Sequence, residues 1–205
     1  TIFKVNEKLF GVESERVFKL FKVPNSFQEK YSNQQKIRLR DLEVKMVNLK
    51  KILAIQGSPR TIRSSTRRLA GFVLEGAAEA GAETEMIDLA DYHVTPCTAC
   101  EGCSFTGSCV FDDDIPALVC RMREADAIIF GSPVYIDNIS GQMKVFFDRL
   151  ADAIHYQVLA GKVGCAVATT HESGRDDVVR YLNHVLNYLG VISVGGFSVA
   201  TAGRA

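Results

Sequence analysis

The chain has 205 residues, of which 47% are apolar and 23% charged, a size and composition that fit one domain with or without an appendage and exclude wholesale disorder or a fibrous repeat. Lys+Arg and Asp+Glu both number 24, for a formal net charge of zero, which argues against a dedicated binder of nucleic acid or of an anionic membrane. No apolar run approaches the roughly 18–20 residues of a membrane span, and the first residues lack the apolar stretch of a signal peptide; a soluble, cytoplasmic protein is expected.

Charge divides the chain near residue 50, with a net of +5 before it and −5 after it. Residues 1–45 show no clean period. Val17, Leu20 and Phe21 are spaced for one short helical face, so this segment is expected to be an N-terminal extension, poorly structured or partly helical. It reads equally as an appended arm or as sequence with no role. The regular pattern, and with it the functional domain 46–205, is expected to start at Met46.

From Lys51 onward strands and helices alternate. KILAIQGS is a short apolar run closed by Gly-Ser-Pro, as in a buried parallel strand. Ser64 to Ala80 has helical spacing and Gly81 in position to end it. ETEMIDL is the second strand. Asp114 to Ala125 is a helix, with Asp114 at the N-cap and Pro116 in its first turn. DAIIFGSP is the third strand, and Met143, Phe146, Phe147, Leu150 and Ile154 form one face of the helix after it. KVGCAVATT is the fourth strand, Val178 to Leu189 a helix ended by Gly190, and VISVGGFSVA the fifth strand. Five strands alternating with four helices predict an open α/β parallel sheet with right-handed crossovers. A fifth helix is missing after the last strand. One sheet face is therefore expected to lack cover, which a helix beyond residue 205, the N-terminal arm or a partner chain would supply; the first is favoured.

Ligands of such sheets bind beyond the carboxyl ends of the strands, so the loops there are the ones to read. GSPRTIRSST (57–66) combines small residues, hydroxyls and a helix N-terminus, the ingredients of a phosphate site; the competing reading is an ordinary polar turn with a capped helix. It matches neither a P-loop nor G-x-G-x-x-G. GSPVYIDNISGQMKVFFDRL (131–150) places Pro133, Val134 and Tyr135 as a rigid wall at a strand end. Gly131 and Asn138 suit unusual backbone there, and such a loop can lie against a planar ring.

These two segments resemble the NADPH-dependent FMN reductase family of flavodoxin-like proteins, over about residues 50–205. The resemblance implies a doubly wound five-stranded sheet of order 2-1-3-4-5 that binds FMN. It assigns the phosphate to Ser58, Arg60, Ser65 and Thr66, in a loop about one residue longer than is common. The isoalloxazine ring goes to Pro133, Val134, Tyr135, Ile136 and Asn138. The loop after the fourth strand, from Thr169 through His171 to Gly174, closes over the other side of the ring.

Six cysteines in a chain without an export signal point to a metal or redox site rather than to disulfides. Cys97, Cys100, Cys103 and Cys109 have the spacing C-x2-C-x2-C-x5-C. Such a run suits a [4Fe–4S] cluster better than structural zinc, which usually takes two separated pairs; a loop without metal is the third reading. The same spacing in the same place resembles the iron-sulfur flavoprotein branch of the family. That branch implies a metal loop at 96–112 exchanging electrons with FMN in a homodimer or homotetramer. Cys120 and Cys165, in apolar surroundings, are expected in the core. Asp112, Asp113 and Asp114 are expected to serve the N-terminus of the following helix.

A flavin accepts two electrons as a hydride and passes them on singly, so FMN beside a cluster converts between the two modes. The transfer itself requires no side-chain acid or base, and no catalytic residue is assigned. The sequence does not identify the electron donor, and NADPH, NADH and ferredoxin stay open as the expected one. The alternatives are an NAD(P)H-dependent FMN or quinone reductase without a cluster and a zinc-stabilised interaction module. His171 is expected to be solvated, and His93, His155 and His184 show no metal-ligand spacing.

Overall fold

The computed structural model describes residues 49–201 throughout. Ahead of them it describes the strands β1 (Ile2–Val5), β2 (Lys8–Gly11), β3 (Phe21–Lys22), β4 (Lys36–Leu39) and β5 (Leu42–Leu49). These five form a sheet of order β3-β2-β1-β5-β4, in which β1 and β5 are parallel and the other neighbours antiparallel. The described parts of the extension are thus strand. LEVKMVNL alternates apolar and polar residues through Met46, the period of a strand and not of a helix. Phe21 falls in β3, whereas Val17 and Leu20 lie outside the described residues.

The second sheet comprises β6 (Lys51–Gln56), β7 (Glu83–Asp88), β8 (Ala127–Pro133), β9 (Val163–Thr170) and β10 (Ile192–Ala200). Its order is β10-β9-β8-β6-β7, with every pair parallel. In sequence order of its own strands this is 2-1-3-4-5, the expected topology. The helices are α1 (Ser65–Glu79), α2 (Gly102–Thr106), α3 (Ile115–Glu124), α4 (Gly141–Asp148), α5 (Ala151–His155) and α6 (Arg175–Tyr188). No helix among the described residues is long and apolar enough to cross a membrane.

Each face of the sheet has its own core. Ala70 and Leu74 of α1 pack with Ile52, Ala54, Ile129 and Val167 on one face. On the other, Leu118 and Met122 of α3, Phe146 and Phe147 of α4, and Leu182 and Leu186 of α6 pack with Leu53, Ile55, Ile128 and Phe130. All seven residues of β8 are buried, as befits a central strand covered on both sides. Phe130 lies 6.4 Å edge-on from Phe146 and 5.1 Å from Phe147, centroid to centroid; burying each such side chain contributes about 1.5–3 kcal/mol. In β10, by contrast, no residue is buried. Phe197 and Val199, in register with Val167 and Thr169, are among its exposed residues, as suits a strand at the edge of the sheet.

The helices end where glycine lets the chain reverse: Gly81 follows α1 at φ 91° and Gly190 follows α6 at φ 85°. Four local expectations are corrected. The helix predicted across Met143 to Ile154 breaks at Arg149 and Leu150 into α4 and α5. Cys120 is exposed, because Leu118 and Met122 take the inward face of α3 and residue 120 points the other way. Asp114 stands at the N-cap of α3 without capping it; its carboxylate accepts the His93 amide instead, at 2.7 Å. Gly131 has no unusual backbone. It is small because a Cβ there would lie 3.0 Å from Val167 and 3.2 Å from Thr66.

Candidate functional site

All four loops singled out in the sequence leave the carboxyl edge of the parallel sheet. The loop after β6 is organised by Gln56, an amide fully buried at the end of an apolar strand. Its Oε1 accepts the Ser58 amide at 2.7 Å, and its Nε2 donates to Asp88 Oδ1 at 2.5 Å. Asp88 Oδ2 in turn accepts from Arg67 Nε at 2.8 Å. This relay fixes Ser58, which is buried and whose hydroxyl accepts the Arg60 amide at 3.3 Å. A single 3-10 turn, Thr61–Arg63, then takes up the extra length of the loop, with Thr61 at φ 44°. Ser64 caps α1, accepting the Arg67 amide at 3.2 Å. Ser65 and Arg60 are exposed. Among the described residues, the amides of Ser65 and Thr66 in the first turn of α1 have no protein acceptor, which leaves two donors and the positive end of the helix facing outward.

Thr66 is buried and its hydroxyl meets that of Thr169 at 2.7 Å, so the loops after β6 and β9 share one polar floor. The loop after β8 joins them. The Ser140 hydroxyl, which caps α4, donates to the Gly57 carbonyl at 2.5 Å, and the Val134 amide donates to Thr169 O at 2.8 Å. Between them Tyr135 and Asn138 exchange both backbone hydrogen bonds, at 2.8 and 3.1 Å, around a two-residue turn. The turn residues are Ile136 at φ 50° and Asp137 at φ 53°. Positive φ is costly for a β-branched residue, and glycine or asparagine is usual in such turns. Ile136 is fully exposed at the tip and Tyr135 partly so, while Pro133 is buried. Ser173 reaches across to donate to Asp137 Oδ1 at 2.7 Å. Gly174, at φ 76°, lies against Asp137 so closely that a Cβ would come within 2.8 Å of its Cα. His171 is exposed, with Nδ1 3.1 Å from Thr201 O.

The cysteine loop after β7 is built differently. Cys97 and Cys100 are exposed, Cys103 and Cys109 half-buried, and all four are free thiols. Ala99, Glu101 and Gly107 have positive φ, bracketing the short helix α2. Among the described residues no group of three His, Cys, Asp or Glu side chains is gathered as a metal site. The donor set nevertheless fits an iron–sulfur cluster in chemistry: four thiols on one short loop, one of them already facing a cation. Cys109 Sγ accepts from Arg149 Nη2 at 3.1 Å.

Arg149 and Asp113 were not legible as a pair. Their side chains are almost completely buried. Arg149 Nη1 donates to Asp113 Oδ2 at 2.5 Å and to Thr95 O at 2.6 Å, and Nη2 lies 3.2 Å from Asp113 Oδ1. Asp113 also accepts the amides of Thr95 at 2.9 Å and Ile115 at 3.2 Å. Burial works to raise its pKa, but the guanidinium and the two amides outweigh it and hold the carboxyl down at about 2. Among the three aspartates, then, Asp113 anchors the arginine. The arginine lies where α4 gives way to α5, at the break that the periodic pattern of Met143 to Ile154 does not reveal. Cys165 sits against the α1-side core, where burial pushes its thiol up to about 12.

The fold and the edge of loops define a flavodoxin-like flavoprotein architecture. A model of the NADPH-dependent FMN reductase family matches residues 50–204, and the chain belongs to that family: it is a flavin-dependent oxidoreductase. It is 38% identical over 148 residues to an iron-sulfur flavoprotein of Methanocaldococcus jannaschii, covering 71% of this chain and 76% of that protein. It is 35% identical over 149 residues to an iron-sulfur flavoprotein of Methanosarcina thermophila, covering 71% and 77%. Among solved structures it resembles an NADH:FMN oxidoreductase in its apo form, with a TM-score of 0.57, 26% identity, and 74% and 75% of the two chains covered. A flavodoxin from the domain Archaea, at 16% identity, a TM-score of 0.50 and coverage of 73% and 84%, shares the fold.

Proposed function

We propose that the protein is an iron–sulfur flavoprotein that passes electrons between a reduced donor, FMN and a [4Fe–4S] cluster. The observation that supports this most directly is the placement of α4. Its N-cap, Ser140, bonds the loop after β6 at Gly57, and Arg149 at its other end bonds Cys109. One short helix, about 12 Å long at 1.5 Å per residue, thereby ties the flavin loops to the cysteine loop. The names of the two archaeal relatives are consistent with this reading.

In this account the FMN phosphate is held by the Ser58 and Thr66 hydroxyls, the outward amides of Ser65 and Thr66, and Arg60 swinging in from solvent. The positive end of α1 favours the dianion. Pro133, Val134, Tyr135, Ile136 and Asn138 hold the ring edge, and Thr169 to Gly174 close the other side. Cys97, Cys100, Cys103 and Cys109 supply thiolates to the cluster. When bound, FMN would supply the chemistry that links two-electron hydride transfer to single-electron transfer; this chain would orient the ring, keep the phosphate in place and set the charge around the sulfurs. The donor is NAD(P)H or ferredoxin, and the protein acts in the cytoplasm as a homodimer or homotetramer. Cys100→Ser is expected to abolish bound iron and leave FMN at one per chain, measured by iron and flavin assay on the anaerobically purified protein. Loss of both cofactors together would refute the division of labour between the loops.

A further inference from the structure

Arg149 is placed more elaborately than an ion pair requires. Its guanidinium is fixed by Asp113 on two nitrogens and by the Thr95 carbonyl, and its carbon lies 5.1 Å from the centre of the Phe111 ring. Its Nε is buried and, among the described residues, has no hydrogen-bond partner. A buried N–H without an acceptor is unfavourable, and the orientation that leaves it so is the one that turns Nη2 onto Cys109 Sγ, 3.1 Å away. The two terminal nitrogens are thus spent on Asp113, Thr95 and Cys109, and Nε takes no part. Arginine keeps its charge in any such setting and presents its N–H groups in a rigid fork.

We infer that Arg149 is the positioning residue of the cysteine loop: through Nη2 it holds the Cys109 sulfur in place and raises the reduction potential of the cluster the loop carries. The inference rests on the cluster reading proposed above. Hydrogen bonds to the sulfurs and the net charge around a cluster are the protein's levers on its potential. A cation and an N–H aimed at a ligand sulfur stabilise the reduced form, which carries one more negative charge. Asp113 and Thr95 keep that donor pointed at the sulfur through the redox cycle. The same contact fixes the last cysteine of the motif against the body of the domain, whereas Cys97 and Cys100 are exposed.

The test is an EPR-monitored redox titration of the full chain, reconstituted with iron and sulfide under anaerobic conditions, for the native protein, Arg149→Lys and Arg149→Gln. Arg149→Gln is expected to retain FMN and iron but to show a lower cluster potential. Arg149→Lys, which restores the charge without the fork, should fall between that variant and the native protein. Equal potentials in the iron-loaded proteins would overturn the inference; should Arg149→Gln fail to fold, the lysine variant alone decides it, by a lowered or an unchanged potential. A second measurement needs no cluster: thermal unfolding of the metal-free chain as Arg149→Gln, Cys109→Ala and the double variant. Non-additive shifts in Tm are expected from a direct contact, and additive shifts would overturn the positioning role. If the native protein takes up no iron, the cluster reading and the effect on potential both fall, and this cycle alone decides whether Arg149 anchors the loop.

Discussion

The flavin loops and the cysteine loop leave the same edge of the same sheet, yet they are supported in opposite ways. The loops after β6, β8 and β9 are locked to one another by buried groups, Thr66 on Thr169 and Ser140 on Gly57, and Gln56 fixes Ser58 within the first of them. The cysteine loop is largely exposed and gains its main support from a single buried cation, Arg149, bonded to Asp113, Thr95 and Cys109. A preorganised cradle loses little freedom when its ligand binds, whereas under the cluster proposal the exposed loop would be ordered by the metal, and part of the binding free energy would go into folding it. The comparison teaches that loops at one sheet edge can be held by many buried contacts between them or by a single buried cation.

The sharpest way to break the contrast is to remove the support of the second loop. Asp113→Asn leaves the buried Arg149 charge without its counter-ion and is expected to destabilise the protein by about 3–5 kcal/mol, read as a drop in denaturation midpoint. Acid should act on the same pair. Asp113 has a folded pKa of about 2 against an ordinary 3.8, so its contribution is complete above the unfolded value and is lost as pH falls through the folded one. Roughly 2 kcal/mol of stability should therefore disappear between about pH 4 and pH 2, in a step that Asp113→Asn abolishes; thermal melts across that range check it.

A smaller effect is expected in the first region. Replacing Ser58 and Thr66 together with alanine removes two hydroxyls offered to a phosphate and should weaken FMN binding by about 2–3 kcal/mol, some 30- to 150-fold, with iron content unchanged. Fluorescence titration of the apoprotein with FMN measures it, and an unaltered affinity would remove these residues from the phosphate site. Smallest is Gly174→Ala. The new Cβ adopts a left-handed backbone and presses on Asp137, which should cost about 1–2 kcal/mol and lower Tm without affecting iron.

The strands and helices were legible because most strands are short apolar runs and each long helix has a clear face, whereas the sheet order followed from the family resemblance alone. The loops were legible as chemistry through Ser, Thr, Gly and Cys at their particular places. What escaped was long-range pairing. Asp113 and Arg149 lie 36 positions apart, and neither stands out locally: one is the middle of three aspartates, the other follows an apolar helical face. Gln56 was the exception that offered a signal, a lone amide in an otherwise apolar strand. The role of Ser64 as the cap of α1 was not assigned, because the adjacent Ser64 and Ser65 have the same local chemistry and the 3-10 turn before them decides the register. The positive φ of Ile136 and Asp137 was hidden for the opposite reason, since residues of those types predict ordinary backbone.

The central claim is that one chain carries both cofactors, and an absorption spectrum of the anaerobically purified protein, with iron, zinc and flavin assayed on the same sample, tests it most directly. The account predicts flavin bands over a broad iron–sulfur shoulder, with about four iron atoms per FMN. Flavin bands without iron, or zinc in place of iron, would contradict it.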